Sequence, residues 1–530
     1  MSTPNLLNGY DMVAALTQNF LNSQIQSFTQ AISPPPSGTT EPSYTIANNF
    51  KATAPSNDGW SCAEITQMAP AMIKLINNTQ VEFRLFIGKG TVQYKDENGQ
   101  NQTQSLNDTK IAFTADLILH PVSNPNGLNA LPSVKNLISK INLSQNKIFA
   151  MLINFDKSEI TNLGVYVLSD KKWIEDANFP GGSAQITTLG KSLANYFVSL
   201  NDSNPYILGL PVMSLNYAAV TNTVTAFVPT ACDFNVSLNE ENEGLSSLNY
   251  CMMTQNRELP SPQTFSQLWT TTQGLAGVFT IGNDLFVSGY VEDNILPTFQ
   301  KALGTSQQFA QGSGNNWSLN CNLKTDRHGN LETDDHGHYE CDQDTDDQTI
   351  VQKDNPDIDL TIKKCSQASV SLLSGTAIEI TANGFIQYYM QAEEWSAFDV
   401  GKVEVNQPWT LDISIKIGTN GKFIVTNNVT PGTLIEIIPP SAGPFLECIN
   451  WLGTTILGDD YDNTETDAEN FTNAQIKTIF DAFQSTIGSQ LDVLNNQFVL
   501  PDGSIFNYNN VNFNAEQDLQ ATIQMTTSTN

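Results

Sequence analysis

Between Trp409 and Val425 the chain reads WTLDISIKIGTNGKFIV. Its apolar residues fall on every second position: Trp409, Leu411, Ile413, Ile415 and Ile417, then Phe423 and Val425 beyond Asn420-Gly421. Only an extended chain puts residues two apart on one face, because successive strand side chains point to opposite sides while a helix repeats every ~3.6 residues. The stretch is therefore expected to be two antiparallel strands turned at Asn-Gly, apolar on one face and polar on the other. The same period recurs earlier. Val81, Phe83, Leu85 and Ile87 alternate, and beyond Asn98-Gly99 so do Ile111, Phe113, Ala115, Leu117 and Leu119. Half-buried antiparallel strands are expected at both, and IFAMLINF, residues 148–155, reads as a buried strand. Asn, Gln, Ser and Thr make up most of the polar remainder, which suits strand surfaces and turns better than exposed helices.

Four stretches carry helical spacing instead. In GYDMVAALTQNFLNSQIQSFTQAI, Val13, Leu16, Phe20, Leu21, Ile25, Phe28 and Ile32 predict a helix of roughly twenty residues, stopped by SPPPSG at 33–38. Ser183 is a candidate cap for a second helix through Ile186, Leu189, Leu193, Phe197 and Leu200. A third is expected to begin near Asn283 with Leu285 and Phe286, and Pro297 to bend or end it. The last runs from about Asn473 to Gln497, where Ile476, Ile479, Phe480, Phe483, Ile487, Leu491 and Leu494 form a stripe of about five turns. A stripe of that length predicts a helix lying along the concave face of a long curved sheet.

At 530 residues, with 40% hydrophobic and 15% charged residues, the chain is long and apolar enough for an ordered protein of several folding units. The net charge is −30 and arginine occurs only at Arg84, Arg257 and Arg327, so no basic stripe is present to neutralise phosphates. Nucleic acid is not an expected partner, and polybasic docking to anionic lipid is disfavoured. No apolar run approaches the ~18 residues of a transmembrane segment, and MSTPNLLNGYDM lacks the pattern of a secretory signal. A soluble protein is expected, cytoplasmic or released without an evident signal peptide. Seven scattered cysteines fit mostly reduced thiols.

Catalytic signatures are missing where they were sought. GGSAQ at 181–185 and GLSSL at 244–248 lack the second glycine of a nucleophile elbow, and GKG at 88–90 lacks phosphate-loop spacing. His120, before Pro121 at a strand end, reads as a structural or surface histidine rather than a triad member. GDDYDNTETDAENF at 458–471 has neither the central glycine nor the closing glutamate of a calcium loop, and reads as an acidic lead into the last helix. Trp317, Leu319, Cys321 and Leu323 alternate as on a strand, and one cluster stands out just beyond them. In TDRHGNLETDDHGHYECDQDTDD, residues 325–347, His336 and His338 lie two apart and would share a strand face, with Asp334 or His328 able to complete a site for a divalent cation. A solvated acidic hairpin, and a disulfide between Cys321 and Cys341, are the other readings of the same residues.

Several phrases in order, NGYDMVAALTQNFLNSQI, NPYILGLPV (204–212), LNYCMMTQNRELP (248–260), LFVSGYVEDNILPTF (285–299) and NQFVLPDGSIFNYNNVNFNAEQDLQATI near the end, resemble the tubular lipid-binding (TULIP) superfamily. The likeness is to the OrfX-type accessory proteins encoded beside clostridial neurotoxins. It implies an α+β, mainly antiparallel β protein, elongated, with curved sheets wrapped around long amphipathic helices. The expected halves are 9–212, and 213–526 with an acidic hairpin or insertion near 320–350. It further implies a non-enzymatic binder of a lipid or other apolar ligand, with a bound lipid in place of any required cofactor and partner proteins in a bacterial toxin or insecticidal system. A structural or protein-interaction subunit whose core is filled by its own side chains is the alternative. A membrane-perforating protein with strands able to refold into a barrel is a further one.

Overall fold

A computed structural model describes residues 6–32, 50–53, 61–107, 109–122, 132–139, 141, 146–155, 166–169, 172–174, 188–189, 192–193, 196, 206–214, 226–261, 264–265, 268–270, 272–303, 308–319, 348–354, 358–374, 378–394, 399–433, 435–438, 477, 481, 498–499 and 506–524. They form three sheets and a few helices, an α+β arrangement dominated by strands. Every strand pairing among the described residues is antiparallel.

The six-stranded sheet is ordered Pro229–Ser237, Ser247–Thr254, Met12–Thr17, Leu275–Ile281, Leu519–Gln524, Asn507–Phe513. Its strands come from both sides of residue 212. Here the structure corrects the expected N-terminal helix: Met12–Thr17 is a central strand, and the helix is only the 15 residues Gln18–Ile32. The reason lies in what covers the strand. Met12, Ala14 and Leu16 enter the main core with Leu248, Tyr250 and Phe279, while Val13 and Ala15 face the other way with Tyr10, Cys251, Phe265 and Trp269. With both faces buried, a period of two becomes an unbroken apolar run, which periodicity cannot distinguish from a buried helix.

The strand passes into the helix at Thr17. Its Oγ1 donates to the Ala276 carbonyl (3.1 Å) and accepts the Phe20 N–H (3.3 Å). On the first turns, Gln18 Oε1 accepts the Leu75 N–H (2.8 Å), and Asn22 makes both a donated and an accepted bond with Ile73 (3.0 and 2.7 Å). Two amides four residues apart on one helix face thus serve the backbone of strand Met72–Leu75.

The eleven-stranded sheet runs Phe50–Thr53, Cys62–Met68, Gln80–Lys95, Thr109–Pro121, Asn146–Asn154, Ile207–Ser214, Phe498–Val499, with four shorter strands paired at its sides. Val81, Phe83, Leu85 and Ile87 are buried, as are Ile111, Phe113, Ala115 and Leu117, as the alternation predicts. The Asn98-Gly99 turn closes a hairpin with Asn101–Ser105, and Thr109–Pro121 pairs with the first half of the long strand, Phe83 opposite Phe113. Phe83, Phe113, Phe155 and Tyr206 pack ring to ring at 4.9–6.1 Å.

The eight-stranded sheet has the order Ala310–Gln311, Asn316–Leu319, Ile358–Ser374, Ile378–Glu394, Asp399–Ile417, Phe423–Pro431, with Gln348–Asp354 and Ile435–Ile438 paired at its sides. Trp409, Leu411, Ile413 and Ile415 are buried on one face, and Thr410, Asp412 and Lys416 are exposed on the other. The turn is built as its sequence requires. Gly421 holds φ +71°, a left-handed conformation that favours glycine, and its carbonyl accepts the Tyr508 N–H (2.8 Å).

Thr188, Leu189, Ser192, Leu193 and Tyr196 are helical, with Leu189 and Leu193 buried, in keeping with the second predicted stripe. In the last predicted helix, Lys477 and Asp481 are helical and ion-paired at 2.8 Å; its apolar stripe lies outside the described residues. No helix among the described residues is long and apolar enough to cross a membrane.

Candidate ligand-binding site

The most site-like feature is assembled around the helix that follows strand Leu275–Ile281. The Asn283 N–H donates to Asp518 Oδ1 (2.9 Å), and the Phe286 N–H bonds back to Gly282 (2.9 Å). From Asp284 to Ile295 the helix is wide, of the π type, and Leu296–Leu303 is an α-helix. Pro297 was expected to bend or end the helix. It does not end it: the helix continues and changes its winding at Leu296, whose N–H still reaches five residues back to the Val291 carbonyl. Asn294 Nδ2 also donates to the Gly289 carbonyl.

The two parts of this helix pack on different sheets. Phe286 meets Phe513 of the six-stranded sheet (5.7 Å between centroids), and Tyr290 packs on Phe227 (4.8 Å). The Tyr290 hydroxyl is buried without a hydrogen-bond partner among the described residues, and burial pushes its ionisation well up. Farther along, Ile295, Leu296 and Phe299 lie against Val370, Ile380, Ala382, Leu411 and Ile413 of the eight-stranded sheet, and Phe299 sits edge-on to Trp409 at 5.5 Å. The space left between helix and sheet is about 10 Å³, at the lower limit of what a single water molecule needs.

Beside that seam the helix, strand Asn316–Leu319 and Phe309 border an open pocket of about 540 Å³. Leu296, Pro297, Phe309 and Trp317 form its apolar wall; Glu292, Asp293, Gln300, Gln308 and Gln311 form its polar side. Trp317 is buried, and its indole N–H donates to Glu292 Oε1 at 3.0 Å, which fixes that carboxylate at the pocket edge. Sequence reading anticipates the alternation of Trp317 and Leu319 and misses the pocket's acidic pair. The signal was the acidic pair Glu292-Asp293 between the apolar stretches around Leu285–Val287 and Ile295–Phe299.

The histidine cluster His328, His336, His338 with Asp334, the Cys321–Cys341 alternative and the acidic stretch 458–471 lie outside the described residues. Among the described residues no group of three or more metal-ligating side chains comes together. His120 is exposed at the end of its strand. Cys62, Cys232 and Cys251 are free; Cys232 packs against the main core and Cys251 lies in the cluster on the opposite face of the same sheet.

One buried and one half-buried charge hold segments together. Asp11 accepts from the Thr254 N–H (2.7 Å) and hydroxyl (2.9 Å) and pairs with Arg257; burial pushes its carboxyl up despite those contacts. Lys422, beside the Gly421 turn, donates to the Phe506 carbonyl (3.0 Å), and burial lowers its ammonium to about 8.

No protein-family model matches the chain, and no curated protein matches it in a sequence comparison. Among solved structures it aligns with P47 from Clostridium botulinum A2 at 12% identity and a TM-score of 0.44, over 98% of each chain. P47 of Clostridium botulinum E1 aligns at 11% identity and 0.45, covering 98% of this chain and 99% of that one. A lipopolysaccharide binding protein aligns at 10% and 0.30, over 97% and 98%. The clostridial resemblance read from the sequence has no family model behind it. The fold described above rests on its strand pairings.

Proposed function

We propose that this chain is a non-enzymatic binding protein for a lipid or another apolar ligand, held beside the helix of residues 284–303. One observation carries this reading: a helix seated on the apolar face of a long-stranded sheet, with a pocket of about 540 Å³ opening along its flank. That volume falls in the ~300–1,000 Å³ range of small-molecule sites. Each methylene moved from water onto Leu296, Pro297, Phe309 and Trp317 would contribute about 0.8 kcal/mol. In the fuller form of the reading, the curved sheet wraps the helix as a tube, the stripe of residues 473–497 supplies a second wall, and the protein serves as an accessory of a bacterial toxin system.

The test is lipid extraction from the purified protein with mass spectrometry, together with uptake of fluorescent fatty acids and phospholipids. A stoichiometric apolar ligand or saturable uptake is expected; neither appearing removes the reading. A second reading, a structural or protein-interaction subunit with a self-filled core, is favoured by the seam of about 10 Å³ under Leu296 and Phe299. It predicts no uptake and a specific protein partner instead.

A further inference from the structure

We propose that the pocket beside the helix selects a positively charged headgroup, an organic ammonium carried on an apolar chain. The proposal rests on the apolar-ligand reading for the chain and adds the chemistry of the head. Glu292 and Asp293 are consecutive on the helix and both line the pocket. The indole N–H of Trp317 occupies Glu292 Oε1 and holds that side chain in place, leaving the carboxylate charge at the pocket. Among the described residues the lining contains no lysine or arginine, and Lys301 on the same helix is not part of it. Phe309, only half-buried, adds an aromatic ring, which favours alkylated ammonium ions through its quadrupole. A carboxylate or phosphate head would meet two carboxylates and, among the described residues, no counter-charge. A bare divalent cation is a poor match, because it needs six or more converging oxygens within ~2.6 Å rather than a space this large. The chain's net charge of −30 further enriches cations around it.

The test is calorimetric titration of the full chain with four probes of matched design: hexyltrimethylammonium, hexanol, hexanoate and tetramethylammonium. Hexyltrimethylammonium should bind best, hexanol about tenfold more weakly, and hexanoate below detection, a factor of ten being ~1.4 kcal/mol. Glu292→Gln keeps an oxygen to accept the Trp317 N–H and removes the charge; it should weaken hexyltrimethylammonium about tenfold and leave hexanol unchanged. Asp293→Asn, at an exposed residue, should weaken the same probe in the same direction and serves if the first variant folds poorly. Equal binding of all three hexyl probes, or an unchanged affinity in both variants, overturns the headgroup proposal while leaving apolar binding standing. Tetramethylammonium binding as tightly as the hexyl form would point to a small free amine and overturn the amphiphile. If no hexyl probe binds, the headgroup proposal and the apolar-ligand reading fall together.

Discussion

In the six-stranded sheet the strand Met12–Thr17 is buried at every position, whereas along Trp409–Ile417 of the eight-stranded sheet burial alternates residue by residue. Both strands lie between two antiparallel neighbours. They differ in covering. The first has Phe20 and Leu21 of the helix and the main core on one face, and Tyr10, Phe265 and Trp269 on the other. The second has the helix of residues 284–303 on one face and exposed Thr410, Asp412 and Lys416 on the other. What covers a sheet, rather than how its strands pair, decides which sequence pattern it carries.

Unfolding experiments can break that comparison. The largest effect is expected for Trp409→Ala, which removes the fully buried partner of Phe299 and should cost about 3–5 kcal/mol in denaturant unfolding. A loss near zero would mean that the helix is not seated on this sheet. Next, Met12→Ala and Val13→Ala, adjacent in sequence and on opposite faces, should each cost about 2 kcal/mol or more. The corresponding neighbours in the one-sided sheet should diverge: Leu411→Ala costs about 2–5 kcal/mol, and Thr410→Ala stays within about 0.5 kcal/mol. Equal losses for Thr410→Ala and Leu411→Ala would show that the second sheet is covered on both faces after all.

The smallest effect is a pH dependence at Lys422. Burial lowers its folded value to about 8 against 10.5 for the free side chain, so the folded state disfavours the charged form. The contribution to stability is therefore complete above pH 10.5 and lost as pH falls through about 8. Compared with Lys422→Met, the wild-type chain should gain stability between those two values. A constant difference across that window would mean that the ammonium is solvated in the folded protein.

The same contrast explains what could be read from the sequence. Trp409–Val425 and Val81–Ile87 were legible because one face of each is solvated and the alternation survives. Met12–Leu16 was not, since burial on both faces erased the polar half of the pattern, and the adjoining helix from Gln18 lent it a false helical period. The helix after Asn283 was anticipated, but its wide winding was not, because that depends on backbone bonds five residues apart and on Asn294 reaching Gly289. In the candidate site, Trp317 was legible as an inward strand residue. Glu292, Asp293 and Phe309 converge there only through tertiary packing, and no spacing along the chain encodes it.

The central claim is that the flank of this helix holds an apolar ligand. Native mass spectrometry of the full chain after incubation with lipid vesicles, wild type beside Gln300→Trp, tests it most directly, since an indole at residue 300 would intrude on the pocket of about 540 Å³ from the helix side and narrow it. One lipid bound per wild-type chain and a reduced occupancy in the variant is the expected result. Absence of lipid from the wild-type protein, or equal occupancy in both, would contradict the account.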